Sequence, residues 1–162
     1  MEAKFKNILV PVDFSGNPEK LRDYAAMMAK KFKAEVTLIH VVETSPYEVY
    51  QKRGFISSLE SLNVVGTVEP GSEQRFIVHD VMEETRERLK SLALETPGFR
   101  VAVRHGHVVR ELLDEIKKGR FDLVIMYTHG FTGLMHLMLG SVAERIVRLS
   151  PVPVLTFRDP GE

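Results

Sequence analysis

Short, almost wholly apolar runs alternate along this chain with stretches in which apolar residues recur every three or four positions. Residues 7–12 (NILVPV) are the first such run, the pattern of a strand buried on both faces of a parallel sheet. The turn Asp13-Phe14-Ser15-Gly16 follows, and Asn17 is then a good N-cap ahead of Pro18 at the first helical position. Leu21, Tyr24, Ala25, Met28 and Phe32 keep helical spacing, so this helix buries one face. Residues 35–42 (EVTLIHVV) read as a second buried strand. Residues 72–96 are mostly helical, with Ser72 as the cap and Pro97-Gly98 as the stop. A third strand is expected over 99–104. Val108, Val109, Leu112, Leu113 and Ile116 share one helical stripe, which Gly119 closes. Residues 122–127 (DLVIMY) read as a fourth strand, 141–149 as a helix and 152–157 as a fifth strand.

Strand and helix in strict alternation imply right-handed crossovers, hence an α/β doubly wound parallel sheet with helices on both faces. The length of 162 residues fits a single domain spanning 1–162, since halves would be too small to bury a good core. One stretch, residues 43–71, is too long for an ordinary connection. It carries Tyr47, Tyr50, Phe55, Ile56 and Leu62 among polar residues. It is expected either as a surface excursion with a short helix, or as a lid over a ligand or a partner-contact segment.

Composition narrows the function classes. Hydrophobic residues make up 44% and charged residues 27%, which argues against disorder. Lys+Arg and Asp+Glu are both 22, so no net charge draws the chain to nucleic acid or to an anionic membrane. The absence of cysteine removes disulfides, thiolate catalysis and Cys-ligated zinc. The polar N-terminus is unlike a signal peptide, and no apolar run approaches the roughly 20 residues that cross a bilayer. A cytoplasmic location is expected.

In a doubly wound sheet, ligands sit at the carboxyl ends of strands where the winding reverses. The turn after strand one, the end of strand two at Val41-Val42, and Tyr127-Thr128-His129-Gly130 after strand four should converge there. Asp13 could accept a hydrogen bond from a ligand amine or hydroxyl, or could simply start the turn and help cap the helix. Gly130 and Gly133 permit backbone conformations that a Cβ would forbid. Gly140, Ser141 and Val142 open a helix whose N–H groups and dipole favour an anion. The competing role for Ser141 is a capping box with Glu144, three residues on.

The run ILVPVDFS, the second-strand LIHVV and the run THGFTGLMHLMLGSVAERIVRLSPVPVL together resemble the universal stress protein family over nearly the whole chain. The resemblance implies a five-stranded sheet in order 3-2-1-4-5 and, in the nucleotide-binding branch, ATP held at the junction of strands one and four. Asp13 and Val41 match positions that contact adenine, the first by hydrogen bond, the second by backbone and packing. Gly130 matches the second glycine of the pattern G-x-x-G, nine residues, G-[S/T]. Gly140-Ser141 completes that pattern, where amides and hydroxyl hold phosphates. Gly106 matches a small-residue turn beside the site, and His129 matches a histidine that orders the loop. A Mg²⁺ ion could accompany ATP, held mostly by phosphates and water.

Tyr127 stands where the pattern has its first glycine. A ring directed into the site would block nucleotide; one directed along the strand face, or stacked on the ligand, would not. His40 is expected as a satisfied core histidine. His105 and His107 lack a third ligand for a metal. Arg145 and Arg148 read as a solvated helix face. No catalytic residue is assigned, for there is no nucleophile–base pair, nucleophile elbow or Walker loop. The last strand leaves an apolar edge despite Pro151 and Pro153, and in the family that strand pairs with its symmetry mate, so a homodimer is expected. Three roles remain open: a stress-associated regulator that binds an adenine nucleotide, a slow ATP hydrolase acting as a switch, and a nucleotide-independent dimeric interaction protein.

Overall fold

The computed structural model describes residues 5–14, 16–43, 72–128 and 140–158. Apart from Glu43, the long excursion over 43–71 lies outside them. The described residues form β1 (Asn7–Pro11), α1 (Pro18–Phe32), β2 (Glu35–Val42), α2 (Ser72–Ala93), β3 (Arg100–His105), α3 (Val108–Lys118), β4 (Leu123–Tyr127), α4 (Ser141–Leu149) and β5 (Val154–Phe157). The strands lie in the order β3-β2-β1-β4-β5, and every pairing is parallel. The chain thus winds outward from β1 to β3, then crosses back to β4 and β5. The junction of β1 with β4 is the point of reversal.

Strand residues alternate between two helical layers. Ile8, Val10, Leu38, Leu123 and Ile125 pack against Leu21 and Ala25 of α1 and Leu89 and Leu92 of α2. Leu9, Ile39, Val41, Val124 and Met126 pack against Leu112 and Ile116 of α3 and Ala143 and Ile146 of α4. Ile8, Leu38, Ile125 and Ile146 are entirely buried, each contributing about 1.5–3 kcal/mol by removal from water. Arg22 of α1 clasps the end of α2 through Glu95 at 2.7 Å and its own neighbour Asp23 at 2.8 Å. Burial would lower its pKa, but the bonds and charges of Asp23 and Glu95 outweigh that and raise it.

Several ends differ from the pattern for identifiable reasons. The helix expected to reach residue 96 stops at Ala93, where Thr96 turns back with both its N–H and its hydroxyl on the Ala93 carbonyl. The last strand starts at Val154 because the Ser150 hydroxyl accepts the Val152 N–H at 3.2 Å, closing a bend around Pro151. Gly119 does end α3, yet in ordinary right-handed backbone (φ −80°); Arg120 takes the left-handed place (φ 52°). What demands glycine at 119 is space, since a Cβ would sit 2.2 Å from the Phe121 ring.

Candidate functional site

The carboxyl ends of β1, β2 and β4 meet the amino ends of α3 and α4 around one cleft of about 220 Å³. Asp13 and Val41 line it together with Gly140, Ser141 and Val142. With Tyr127, which borders the same cleft, six of the candidate site residues are therefore brought to one place. His129, Gly130 and Gly133 lie outside the described residues.

Backbone direction explains how Val41 comes to face the cleft. The β1–β2 register ends at Pro11 opposite Ile39, with Val12 N–H donating to the Ile39 carbonyl at 2.8 Å. In a strand the N–H and C=O of one residue share a side, and the sides alternate. Val41, two residues beyond Ile39, thus turns both groups toward β1 just where the ladder stops. His40 marks the split: its Nδ1–H donates to the Val12 carbonyl at 2.6 Å. A carbonyl can only accept, so Nδ1 is the protonated nitrogen. His40 is half-buried and lines the cleft as well.

Tyr127 borders the cleft, but its ring does not fill it. The alternation of β4 continues to the last residue, so Tyr127 joins Leu123 and Ile125 in the α1–α2 layer. The side chain is 9% exposed, and its hydroxyl donates to the Asn17 carbonyl at 2.9 Å. Met126, on the other face, lines the cleft beside Leu112 and Val108. The ring therefore fills core volume on the face of the sheet opposite α4.

The start of α4 differs from the capping box considered for it. Gly140 is the N-cap and makes no side-chain cap, while Ser141 is already the first helical residue. The Glu144 N–H bonds back to the Gly140 carbonyl at 2.8 Å, and the Glu144 carboxylate reaches Arg148 at 3.4 Å instead of the cap. The first amides of any helix lack intrahelical acceptors. Here they open on the cleft. Gly140 is held in turn by its N–H on the Thr128 carbonyl. The start of α3 is likewise without a side-chain cap at His107.

Gly106 is not among the residues lining the cleft. It makes the β3–α3 turn at φ 145°, its N–H on the Val42 carbonyl at 3.1 Å, with the Glu111 side chain 3.0 Å from where a Cβ would lie. Its role is to hold the turn. Met126, Val108 and Leu112 line the cleft without having been singled out for it, and Thr128, from the segment after β4 that was expected there, lines it too. Strand parity could have found Met126; Val108 and Leu112 depend on how α3 packs. His105 and His107 are exposed, as are Arg145 and Arg148. Among the described residues no three His, Asp or Glu side chains gather as a metal site. No helix of the described residues is long and apolar enough to cross a membrane.

Comparison with known proteins gives the same picture. The model of the universal stress protein family matches residues 4–158. Universal stress protein MJ0531 of Methanocaldococcus jannaschii is 31% identical over 159 residues, covering 98% of this chain and 85% of that protein. Universal stress protein YxiE of Bacillus subtilis is 30% identical over 161 residues, 95% of this chain and 99% of that one. The solved structure of MJ0577 superimposes with a TM-score of 0.66 at 26% identity, covering 99% of this chain and 100% of that one. Two more distant structures share the fold: a universal stress protein in complex with cAMP (TM-score 0.58, 16% identity, 97% and 99% covered) and one from Archaeoglobus fulgidus in complex with dAMP (0.53, 14%, 95% and 98%). The match along residues 4–158, on a sheet ordered β3-β2-β1-β4-β5, leaves one assignment: this chain belongs to the universal stress protein family.

Proposed function

We propose that this chain is a single-domain, cytoplasmic, stress-associated regulator that binds an adenine nucleotide, ATP, in the cleft at the carboxyl edge of the sheet. The observation that carries the proposal is that the Asp13 turn and the Gly140-Ser141 helix start line the same cleft. Asp13 would accept from the exocyclic amine of adenine, and the Val41 backbone would pair with the ring edge. Val108, Leu112 and Met126 supply apolar surface for the base. The Ser141 hydroxyl and the first amides of α4 would meet the phosphates, where helix dipole and unpaired N–H groups favour negative charge. The orientation of Tyr127 favours this over the nucleotide-independent role, because the ring that could have blocked the site is spent on the core. The relatives that carry cAMP and dAMP on the same fold lend support.

With no cluster of three ligating side chains among the described residues, Mg²⁺ would be held mainly by the phosphates and water. Titration calorimetry is the test. Saturable heat at submillimolar ATP, weaker for adenosine, is expected; no heat at millimolar ATP would refute the proposal.

A homodimer through β5 belongs to the same proposal. All four β5 residues are only half-buried although β4 pairs one side of them, and Val147 and Leu149 of the neighbouring α4 are 46% and 57% exposed. An apolar edge of this kind is normally covered. Light scattering at micromolar protein should give twice the chain mass, and a monomer would exclude it.

A further inference from the structure

Asp13 is exposed, yet the residue after it is tightly constrained. Phe14 holds φ 58°, a left-handed backbone that bulky side chains rarely adopt. Such a conformation persists only when the surroundings over-determine it. Here two groups hold the ring. The Arg88 guanidinium of α2 lies over it, 4.0 Å from the ring centroid. The His40 ring lies at 5.2 Å, tilted by 43°. Phe14 is also packed against the α1–α2 core. The far end of the same turn is tied down separately, by the Tyr127 hydroxyl on the Asn17 carbonyl. The tethers run into the α1–α2 layer, whereas α3 and α4 supply the helix starts that line the cleft.

We propose that Phe14, held by its ring contacts with Arg88 and His40, is a positioning residue that fixes the Asp13 carboxylate at the mouth of the cleft before ligand arrives. It touches no ligand itself. His40 links the two parts, because the imidazole that faces Phe14 also bonds the Val12 carbonyl where β1 and β2 separate. One group thus sets both the Asp13 turn and the backbone opening beside Val41. Arg88 brings α2 into the same assembly, although none of the α2 side chains described over 78–93 lines the cleft. The specificity expected of this arrangement is for the base, since Asp13 addresses the ring amine and not the phosphates. This inference rests on the nucleotide reading of the cleft.

The test uses the full chain and two variants. Arg88→Gln removes an exposed charge and should fold normally; Phe14→Gly relieves the left-handed backbone while deleting the ring. Without ligand, amide exchange at residues 12–17 should quicken about tenfold in Phe14→Gly and about threefold in Arg88→Gln, with α3 and α4 unchanged. ATP affinity should fall by the same factors, and Phe14→Tyr should restore it. Both losses should vanish when the variants are made on Asp13→Ala, because a residue acting through Asp13 has nothing left to position. Equal losses with and without Asp13, or unchanged exchange in the turn, would overturn the proposal. If the wild-type chain binds no ATP, the nucleotide reading fails. The exchange measurement then still decides whether the clamp fixes the turn.

Discussion

Two helices begin at the carboxyl edge of the sheet beside the same cleft, and they begin differently. At α1 the Asn17 side chain accepts from the Lys20 N–H at 2.9 Å, Pro18 removes a donor, and the Tyr127 hydroxyl closes on the Asn17 carbonyl. That start is satisfied from within the protein. At α4 the cap is Gly140, which makes no side-chain cap bond, and Ser141 lines the cleft. A helix capped by a side chain beside one whose cap residue has none separates a structural start from one suited to receive an anion. Tyr127 belongs to the first kind. Its place in the sequence, where the family pattern has glycine, suggests the second.

The largest expected effect tests that assignment. Tyr127→Gly removes a buried ring and the bond to Asn17, so it should destabilise the chain by about 3–5 kcal/mol while bringing no gain in ATP affinity. Denaturant unfolding together with calorimetry measures both, and tighter ATP binding by this variant would mean that the ring obstructs the cleft after all. Next comes Ser141→Asp. An acidic residue in the first turn should add about 0.3–1 kcal/mol to helix stability, yet repel phosphates and weaken ATP by at least about tenfold, equivalent to 1.4 kcal/mol. Stability and affinity moving in opposite directions is the signature of a start kept open for ligand. The smallest effect falls on the closed start. Asn17→Ala should cost about 1 kcal/mol of stability and leave ATP affinity nearly unchanged.

The sequence carried most of the fold for a simple reason. Strands buried on both faces must be apolar throughout, as NILVPV and DLVIMY are, and each helix must present a stripe to the sheet. The convergence of Asp13, Val41 and the Tyr127-Thr128 end of β4 was legible from strand ends alone, because a doubly wound sheet brings its carboxyl ends together; Ser141 was expected beside them through the resemblance to the family pattern. Other features were set by packing that no local pattern reports. Ser141 with Glu144 has the spacing of a capping box, but the helix starts at Ser141 and Glu144 turns to Arg148. Gly119 has the look of a left-handed stop, but it is required by the Phe121 ring above it. Gly106 matched a turn beside the site; it makes the β3–α3 turn at φ 145° and is not itself among the lining residues. The clamp on Phe14 joins residues 14, 40 and 88, which only the folded chain brings into contact.

The most direct test of a ligand that spans the cleft follows backbone amide resonances of the Asp13 turn and of Ser141-Val142 during one ATP titration. Both sets should shift together and saturate at a single dissociation constant, with adenosine moving mainly the Asp13 set. Shifts confined to one set, or constants that differ between them, would contradict a single nucleotide held between the β1 turn and the start of α4.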